Sequence, residues 1–136
     1  MGSSFINGGY SITPANDWTT VDSDGSLRMA QWNKTDGTGV CPIGFRVPTL
    51  TELKTETLNN GVINSETAFS NFLRFPISGY RYGIGGSPQA QGWYADVWTS
   101  SVDGITSQSV TFGSSYAGGS SSIRASGYVV RCIQGN

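Results

Sequence analysis

The stretch Cys41-Pro-Ile-Gly-Phe-Arg-Val-Pro-Thr49 ("CPIGFRVPT") concentrates backbone-restricting residues directly before a helix-start signal. Pro48 has no amide hydrogen and cannot continue a helix from behind, so it fixes where the following helix begins. In Thr49-Leu50-Thr51-Glu52, the Thr49 hydroxyl can accept from the Glu52 backbone amide while the Glu52 carboxylate reaches back. This capping box predicts a helix that begins directly after Thr49.

Two helices are predicted in the first half of the chain. The first runs to about Asn59, because Asn60-Gly61 supplies a stop signal. The second lies in "SETAFSNFLRF" (65–75), where apolar residues recur at helical spacing until Pro76 ends the pattern. Its apolar side chains are expected in the core: Ala68, Phe69, Phe72 and Leu73.

Strand signals lie mostly in the second half. A short strand is predicted in "LRMAQW" (27–32), because its residues alternate between the two sides of a pleat. After Phe75, glycine-rich segments separate five more predicted strands: 74–83, 93–101, 107–114, 121–125 and 127–134. Helices gathered early and strands gathered late indicate an α+β fold.

The composition favours an extracellular β-rich domain over a cytosolic enzyme. A chain of 136 residues fits one domain. Only 12% of its residues are charged, against roughly 25% in an average domain, so hydroxyl and amide groups supply the surface polarity. A net charge of −1 with scattered basic residues argues against a nucleic-acid partner.

Nothing in the sequence predicts membrane insertion, because no apolar run approaches the roughly 18 residues that a membrane helix needs. The opening "MGSSFINGG" also lacks the charged start and apolar stretch of a secretory signal. We therefore expect a mature fragment, an excised domain or a protein exported by another route.

Two cysteines and no histidine limit the chemistry. Cys41 and Cys132 lie 91 positions apart, too far for a CxxC site. A redox or metal site is one interpretation of the pair, and a disulfide is the favoured one. Such a disulfide would stabilise the fold by about 4 kcal/mol in the chain-entropy model.

An ordered set of motifs resembles the Fibrobacter succinogenes major paralogous domain family. "CPIGFRVPTLTEL" is similar to the family signature C-P-x-G-W-R-[LV]-P-T-x-x-E-[LW], with Phe45 in place of the usual Trp. "FPISGYRYG", "WTSS" and "SGYVVRCI" follow in the family's order. The resemblance covers roughly residues 27–134.

The resemblance implies a C-type-lectin-like fold with two short helices, a twisted antiparallel sheet and long loops. The domain would comprise residues 27–136, and residues 1–26 would be an extended segment or linker. The cysteine pair would be the family's disulfide, Arg46 and Arg131 would be structural, and Phe45 would fill the core.

Family relatives are extracellular or surface proteins of bacteria and phages. Related folds include formylglycine-generating enzymes, sugar-binding lectins and the variable proteins of diversity-generating retroelements. The enzyme would need a reactive cysteine pair, and both cysteines are assigned to the bridge, so we expect no catalysis.

A calcium site is the only cofactor suggested by the sequence. "VDSDGS" (21–26) resembles the start of a calcium loop, but the later bidentate carboxylate is missing. We therefore favour a solvated turn and expect no cofactor.

Candidate ligand-binding residues lie in two glycine-rich stretches and one strand. "GGSPQAQGWYADVW" (85–98) and "GSSYAGGSSSIRAS" (113–126) mix aromatic side chains with small polar ones, as binding surfaces do. An ordinary glycine-rich loop is the alternative for the second stretch, and Trp98 is expected in the core. The candidates are Tyr82, Trp93, Tyr94, Asp96, Tyr116 and Arg124.

These features together predict a non-catalytic recognition domain at the tip of a bacterial surface adhesin or phage fibre. The expected ligand is a surface glycan. The alternatives are a diversified protein-binding domain of the retroelement type and a structural or trimerisation tip of a fibre.

Overall fold

A computed structural model describes Asp17 and residues 21–135. Most of the predicted segment 1–26 therefore lies outside the described residues. The α-helices are α1 (Ser26–Trp32), α2 (Leu50–Glu56) and α3 (Ser65–Ser70), and a 3₁₀ turn spans Leu58–Asn60. The strands are β1 (Phe45–Arg46), β2 (Tyr80–Arg81), β3 (Pro88–Gln89), β4 (Tyr94–Asp103), β5 (Thr106–Gly113), β6 (Ala117–Ile123) and β7 (Ile133–Gln134). Short helices and antiparallel strands confirm the α+β class.

The main sheet is an antiparallel meander of β4, β5 and β6. The outer edge of β4 is extended by single bridges from Gly79 to Ala95 and from Val129 to Val97. Two smaller ribbons pair β1 with β7 and β2 with β3.

One face of the main sheet, the helix-covered face, packs against α2 and α3. On it Ala95 lies opposite Phe112, and Val97 lies opposite Val110. The Phe75 ring stacks on Phe112 with centroids 5.2 Å apart. Helix and loop residues complete this core: Leu53, Val62 and Ala68.

The predicted start of α2 is confirmed. The Thr49 hydroxyl accepts from the Glu52 backbone amide, and the Glu52 carboxylate accepts from the Thr49 amide at 2.8 Å. The 3₁₀ turn after α2 ends at Gly61, whose φ of 83° is one that glycine adopts without strain.

The predicted strand at 27–32 is wrong, because these residues form α1. The Asp22 carboxylate accepts from the backbone amides of Leu27 and Arg28, and Asp24 accepts from Ser26. These bonds satisfy amides that a helix start leaves free, and the segment itself is rich in good helix formers. The predicted turn is present and Ser23 and Asp24 in it are exposed, but Asp22 is buried and its carboxylate caps α1.

α3 is shorter than predicted, and the prediction that Phe69 and Phe72 lie in the core is wrong. Asn71 leaves the helix with extended backbone angles, and its side chain accepts from the Leu73 amide. Only two short turns remain, and they direct Ser65 and Ala68 inward, which leaves both phenylalanines exposed.

Phe45 is also exposed, which corrects its predicted place in the core. It lies on the narrow β1–β7 ribbon opposite Gln134. The interior positions nearby are filled by Val47 and Pro48, which are fully buried.

The predicted strand at 74–83 shrinks to Tyr80–Arg81. Arg74 has a positive φ of 52°, and Pro76 lacks an amide hydrogen, so neither suits a regular ladder.

The predicted disulfide is present. Cys41 and Cys132 are bonded, with Cα atoms 5.9 Å apart. The β1–β7 ribbon lies a few residues from this bond in the sequence. The bond and the ribbon together join residues 41–46 to residues 132–134, and we call this connection the clasp.

Candidate functional site

The second face of the main sheet, the polar face, carries hydroxyls, glycines and aromatic rings. Strand alternation places its residues opposite the core residues. Gly119 lies on the helix-covered face, because a Cβ there would meet Leu50 and Lys54 of α2, each at 3.8 Å. Its neighbours Gly118 and Ser120 in β6 therefore belong to the polar face. The polar face comprises Tyr94, Asp96 and Trp98 of β4, Ser107, Ser109, Thr111 and Gly113 of β5, and Gly118, Ser120 and Ser122 of β6.

Tyr128 covers one half of the polar face. Its hydroxyl donates to Ser122 Oγ at 2.9 Å, and its ring lies 4.4 Å from that of Trp98. Burial raises the pKa of this tyrosine. On β5, Ser109 pairs with Trp98 and Ser107 pairs with Ser122, so both serines lie between the two contacts of Tyr128 in the strand register. Their hydroxyls are buried and have no hydrogen-bond partner among the described residues.

The other half of the polar face ends at two neighbouring tyrosine rings, Tyr94 and Tyr116, which are together called the tyrosine notch. The rings of Tyr94 and Tyr116 have centroids 6.1 Å apart and are tilted by 57°. Both lie over Gly113, where a Cβ would meet Tyr94 Cε1 at 2.8 Å and Tyr116 Cε1 at 3.0 Å. Glycine at this position therefore makes room for the tyrosine notch. Tyr94 is 38% exposed and Tyr116 is 48% exposed, so both rings are accessible.

Asp96 and Thr111 lie side by side next to the notch. They are register partners, and Thr111 Oγ1 donates to Asp96 Oδ1. Asp96 is only 6% exposed. Burial raises the pKa of its carboxyl group, and the Thr111 hydrogen bond opposes that effect.

The pKa of Tyr116 depends on the same group of residues. Burial raises the pKa of its phenol, and the neighbouring Tyr94 and Asp96 raise it further. The notch and the carboxylate therefore belong to one electrostatic environment.

Open space lies beside this pair. Gly118 is the β6 partner of Thr111, and a Cβ placed on it would meet no atom within 4 Å. In the strand register, the row Asp96–Thr111–Gly118 lies between the tyrosine notch and the Tyr128 cover, and this row with the space over Gly118 is called the groove.

Three of the six predicted ligand-binding residues come together here: Tyr94, Asp96 and Tyr116. Trp93 directly precedes β4 and is 67% exposed. Tyr82 is exposed but lies in the β2–β3 hairpin, where its amide donates to the Ser87 carbonyl.

Arg124 is 1% exposed and faces the interior. Its guanidinium donates to the Asp17 carboxylate at 2.7 Å and to the carbonyls of Asp22 and Gly104. It joins the segment before α1 to the β4–β5 turn, and its burial leaves no surface for a ligand.

Sequence reasoning missed Thr111, Gly118 and Tyr128. Thr111 and Gly118 join Asp96 in one row only through the pairing register of β4, β5 and β6. Tyr128 covers part of the polar face because it contacts Trp98 of β4 and Ser122 of β6. The alternation in "SVTFG" (109–113) was a usable signal, because it separates Ser109 and Thr111 from the core residues between them.

A second concave surface lies beside the clasp. It is a cavity of about 580 Å³ between α2 and the β1–β7 ribbon, and the exposed Phe45 and Phe72 contribute to its wall. Arg131 lines it as well, with its guanidinium carbon 6.0 Å from the Phe75 ring. Arg46 at its edge is paired with Glu52 at 2.6 Å, which agrees with the structural role predicted for Arg46.

Within residues 21–135 and Asp17, no cluster of three or more Cys, Asp or Glu side chains is arranged to hold a metal ion. In the same part of the chain, no helix has the length and hydropathy to cross a membrane.

A scan against protein-family models gave no match, and neither did searches of curated proteins and of solved structures.

Proposed function

We propose that this chain is a non-catalytic recognition domain whose groove binds a glycan. The observation that carries this proposal is the tyrosine notch beside the Asp96–Thr111 pair, with open space over Gly118. Aromatic rings cover the apolar faces of sugar rings, and carboxylate and hydroxyl groups bond to sugar hydroxyls.

Preorganisation supports binding at this place. Tyr94, Asp96 and Thr111 lie on paired strands rather than in a free loop, so little ordering is needed when a ligand arrives. The Trp98–Tyr128 contact closes the neighbouring part of the face and leaves the groove as a bounded opening.

The fold we propose is C-type-lectin-like. Its support is the resemblance of the motifs, together with the Cys41–Cys132 disulfide and a ribbon that pairs residues 45–46 with residues 133–134 near the end of the domain. A structural disulfide is typical of oxidising compartments. We therefore propose an extracellular location, on a bacterial adhesin or a phage fibre.

A glycan array with the purified domain tests the proposal. Tyr116→Ala removes one wall of the notch, and Gly118→Val fills the open space at a strand position with ordinary φ. We expect both variants to lose at least about tenfold in affinity, roughly 1.4 kcal/mol.

Two matched variants control for damage to the fold. Gly119→Ala changes the same strand on its other face, where the added methyl makes ordinary contacts, and Tyr82→Ala removes an exposed ring elsewhere. Both should bind like the wild type. Absence of any glycan signal would refute the glycan proposal, and a signal unaffected by Tyr116→Ala and Gly118→Val would refute the groove as its site.

A protein ligand is the second candidate. Trp93 and Tyr94 are adjacent in the chain, the Tyr116 ring packs beside Tyr94, and all three side chains are exposed. Tyrosine among serine and glycine suits protein recognition. A protein ligand should bury Trp93 as well as the notch. Trp93→Ala should then weaken binding strongly, whereas a glycan held in the groove should tolerate it.

A structural fibre tip remains the alternative from a different class. Its exposed aromatic rings would pair with sister subunits, so sedimentation of the purified domain should show a trimer. A clean monomer would count against it.

A further inference from the structure

We infer that the groove takes a primary ammonium group and that its ligand is an amino sugar with a free amine. This inference rests on the proposed glycan function and adds the charge of the ligand. The deciding feature is the Asp96 carboxylate, which lies near the tyrosine notch and has no cationic partner among the described residues.

Among the described residues, the ion pairs are Arg46 with Glu52 and Arg124 with Asp17. Asp96 takes part in neither, and its one hydrogen bond there comes from the neutral Thr111 hydroxyl. A buried carboxylate without a cation is costly, because burial removes hydration that nothing replaces. A cationic ligand would offset that cost.

Asp96 can be reached from solvent through its second oxygen. Oδ2 has no hydrogen-bond partner within the described part of the chain. It is also not among the unsatisfied atoms sealed from solvent there, which are the hydroxyls of Ser100, Ser107 and Ser109. Oδ2 therefore keeps some contact with solvent on the polar face and is available to a ligand.

The rings of the notch favour the same charge. A cation is attracted to an aromatic face when it lies within about 6 Å of the ring centroid. The centroids of Tyr94 and Tyr116 are 6.1 Å apart, so one cation can satisfy both rings. Gly118 leaves the far end of the row open, where the side chain of any other residue would stand.

Arg28 contacts Trp98 of the polar face, but its charge has other partners. Arg28 stacks on Trp98 at 4.7 Å and on Trp32 at 4.0 Å. Its charge interacts with Asp17, Asp22 and Arg124, and not with Asp96. Anionic sugars would meet the uncompensated carboxylate and should be repelled.

The test is a ¹H–¹⁵N NMR titration with D-glucosamine and N-acetyl-D-glucosamine, at a pH where the free amine is protonated. The two sugars differ in charge at one position. We expect glucosamine to bind about tenfold more tightly and to shift the amide signals of Thr111, Gly113 and Gly118. Equal affinity for the two sugars would overturn the inference.

Asp96→Asn isolates the charge, because the amide oxygen can still accept from Thr111. It should abolish the preference for glucosamine. Asp103→Asn is the matched control, since Asp103 is an exposed carboxylate at the far end of the same strand. A preference that persists in Asp96→Asn would also overturn the inference.

A third probe, Nα-acetyl-lysine amide, separates the two proposals. If it shifts the same signals while glucosamine does not, the ammonium site stands and the glycan function fails. If the glycan array shows groove-dependent binding only to neutral or acidic sugars, the glycan function stands and the ammonium site fails. If neither ammonium probe shifts these signals, the ammonium site is refuted.

Discussion

The Glu52 side chain binds Arg46 and Thr49 of the "CPIGFRVPT" segment, so its negative charge should contribute measurably to the free energy of unfolding. Its carboxylate accepts from Arg46 at 2.6 and 2.9 Å, from the Thr49 amide at 2.8 Å and from the Thr49 hydroxyl at 2.9 Å. Glu52→Gln removes the charge but keeps an acceptor, and glutamine also serves in capping boxes. The substitution therefore tests the ion pair more than the cap.

The size of the effect follows from the pKa. The hydrogen bonds from Arg46 lower the pKa of Glu52 from 4.5 to about 2. At roughly 1.4 kcal/mol for each pKa unit, that difference would be worth about 3 kcal/mol. The side chain is 38% exposed, so solvent screening reduces the contribution, and we expect about 1–2 kcal/mol.

The sign is set by the direction of the pKa change. Because the folded pKa lies below the unfolded value, the stabilisation is fully present above about pH 4.5 and is lost as the pH falls towards about 2. Wild type and Glu52→Gln should therefore differ at neutral pH and converge in acid.

Urea unfolding followed by tryptophan fluorescence, at about pH 7 and about pH 3, measures this convergence. Glu56→Gln on the same helix is the control, because Glu56 is exposed, and it should change the free energy of unfolding by less than about 0.5 kcal/mol. A gap between wild type and Glu52→Gln that stays the same at both pH values would refute the electrostatic account.

Two further outcomes concern the scaffold. Replacing both Cys41 and Cys132 by Ala should lower the free energy of unfolding by about 4 kcal/mol, as measured in urea, because the bond closes a long loop; an unchanged midpoint would contradict this. Ser109→Ala should raise the melting temperature, since it deletes a buried unsatisfied hydroxyl and gains about 1 kcal/mol. Ser120→Ala, its exposed cross-strand neighbour, should leave the melting temperature unchanged.

Sequence alone predicted the features that depend on short-range hydrogen bonds. The start of α2 follows from Thr49 and Glu52, which are three positions apart, and the glycine stop at Gly61 is equally local. The strands β4 and β5 were found because their core residues alternate.

Long-range packing overruled the local pattern elsewhere. Residues 27–32 alternate like a strand, but the Asp22 carboxylate caps a helix there, and Arg28 packs between two tryptophan rings. Phe45 was expected inside because of the family resemblance, and Phe72 because apolar residues recur at helical spacing around it. Their exposure depends on where the narrow ribbon and the end of α3 lie.

Only some residues of the candidate site could be predicted from the sequence. The exposed tyrosines could be guessed from their glycine- and serine-rich surroundings. Arg124 has the same surroundings, but its partners lie 107, 102 and 20 positions away, and no local pattern reveals that it is buried. The Asp96–Thr111 pair needed the strand register.

The clasp imposes an order on how the chain can fold during synthesis. Helices α1 to α3 and the capping box use contacts within residues 22–71, so they can form early. Cys41 and β1 must wait for residues 132–134, which the ribosome makes much later. Until then Phe45 and Arg46 lack their strand partners, so the segment that looks most decisive in the sequence is among the last to reach its final contacts.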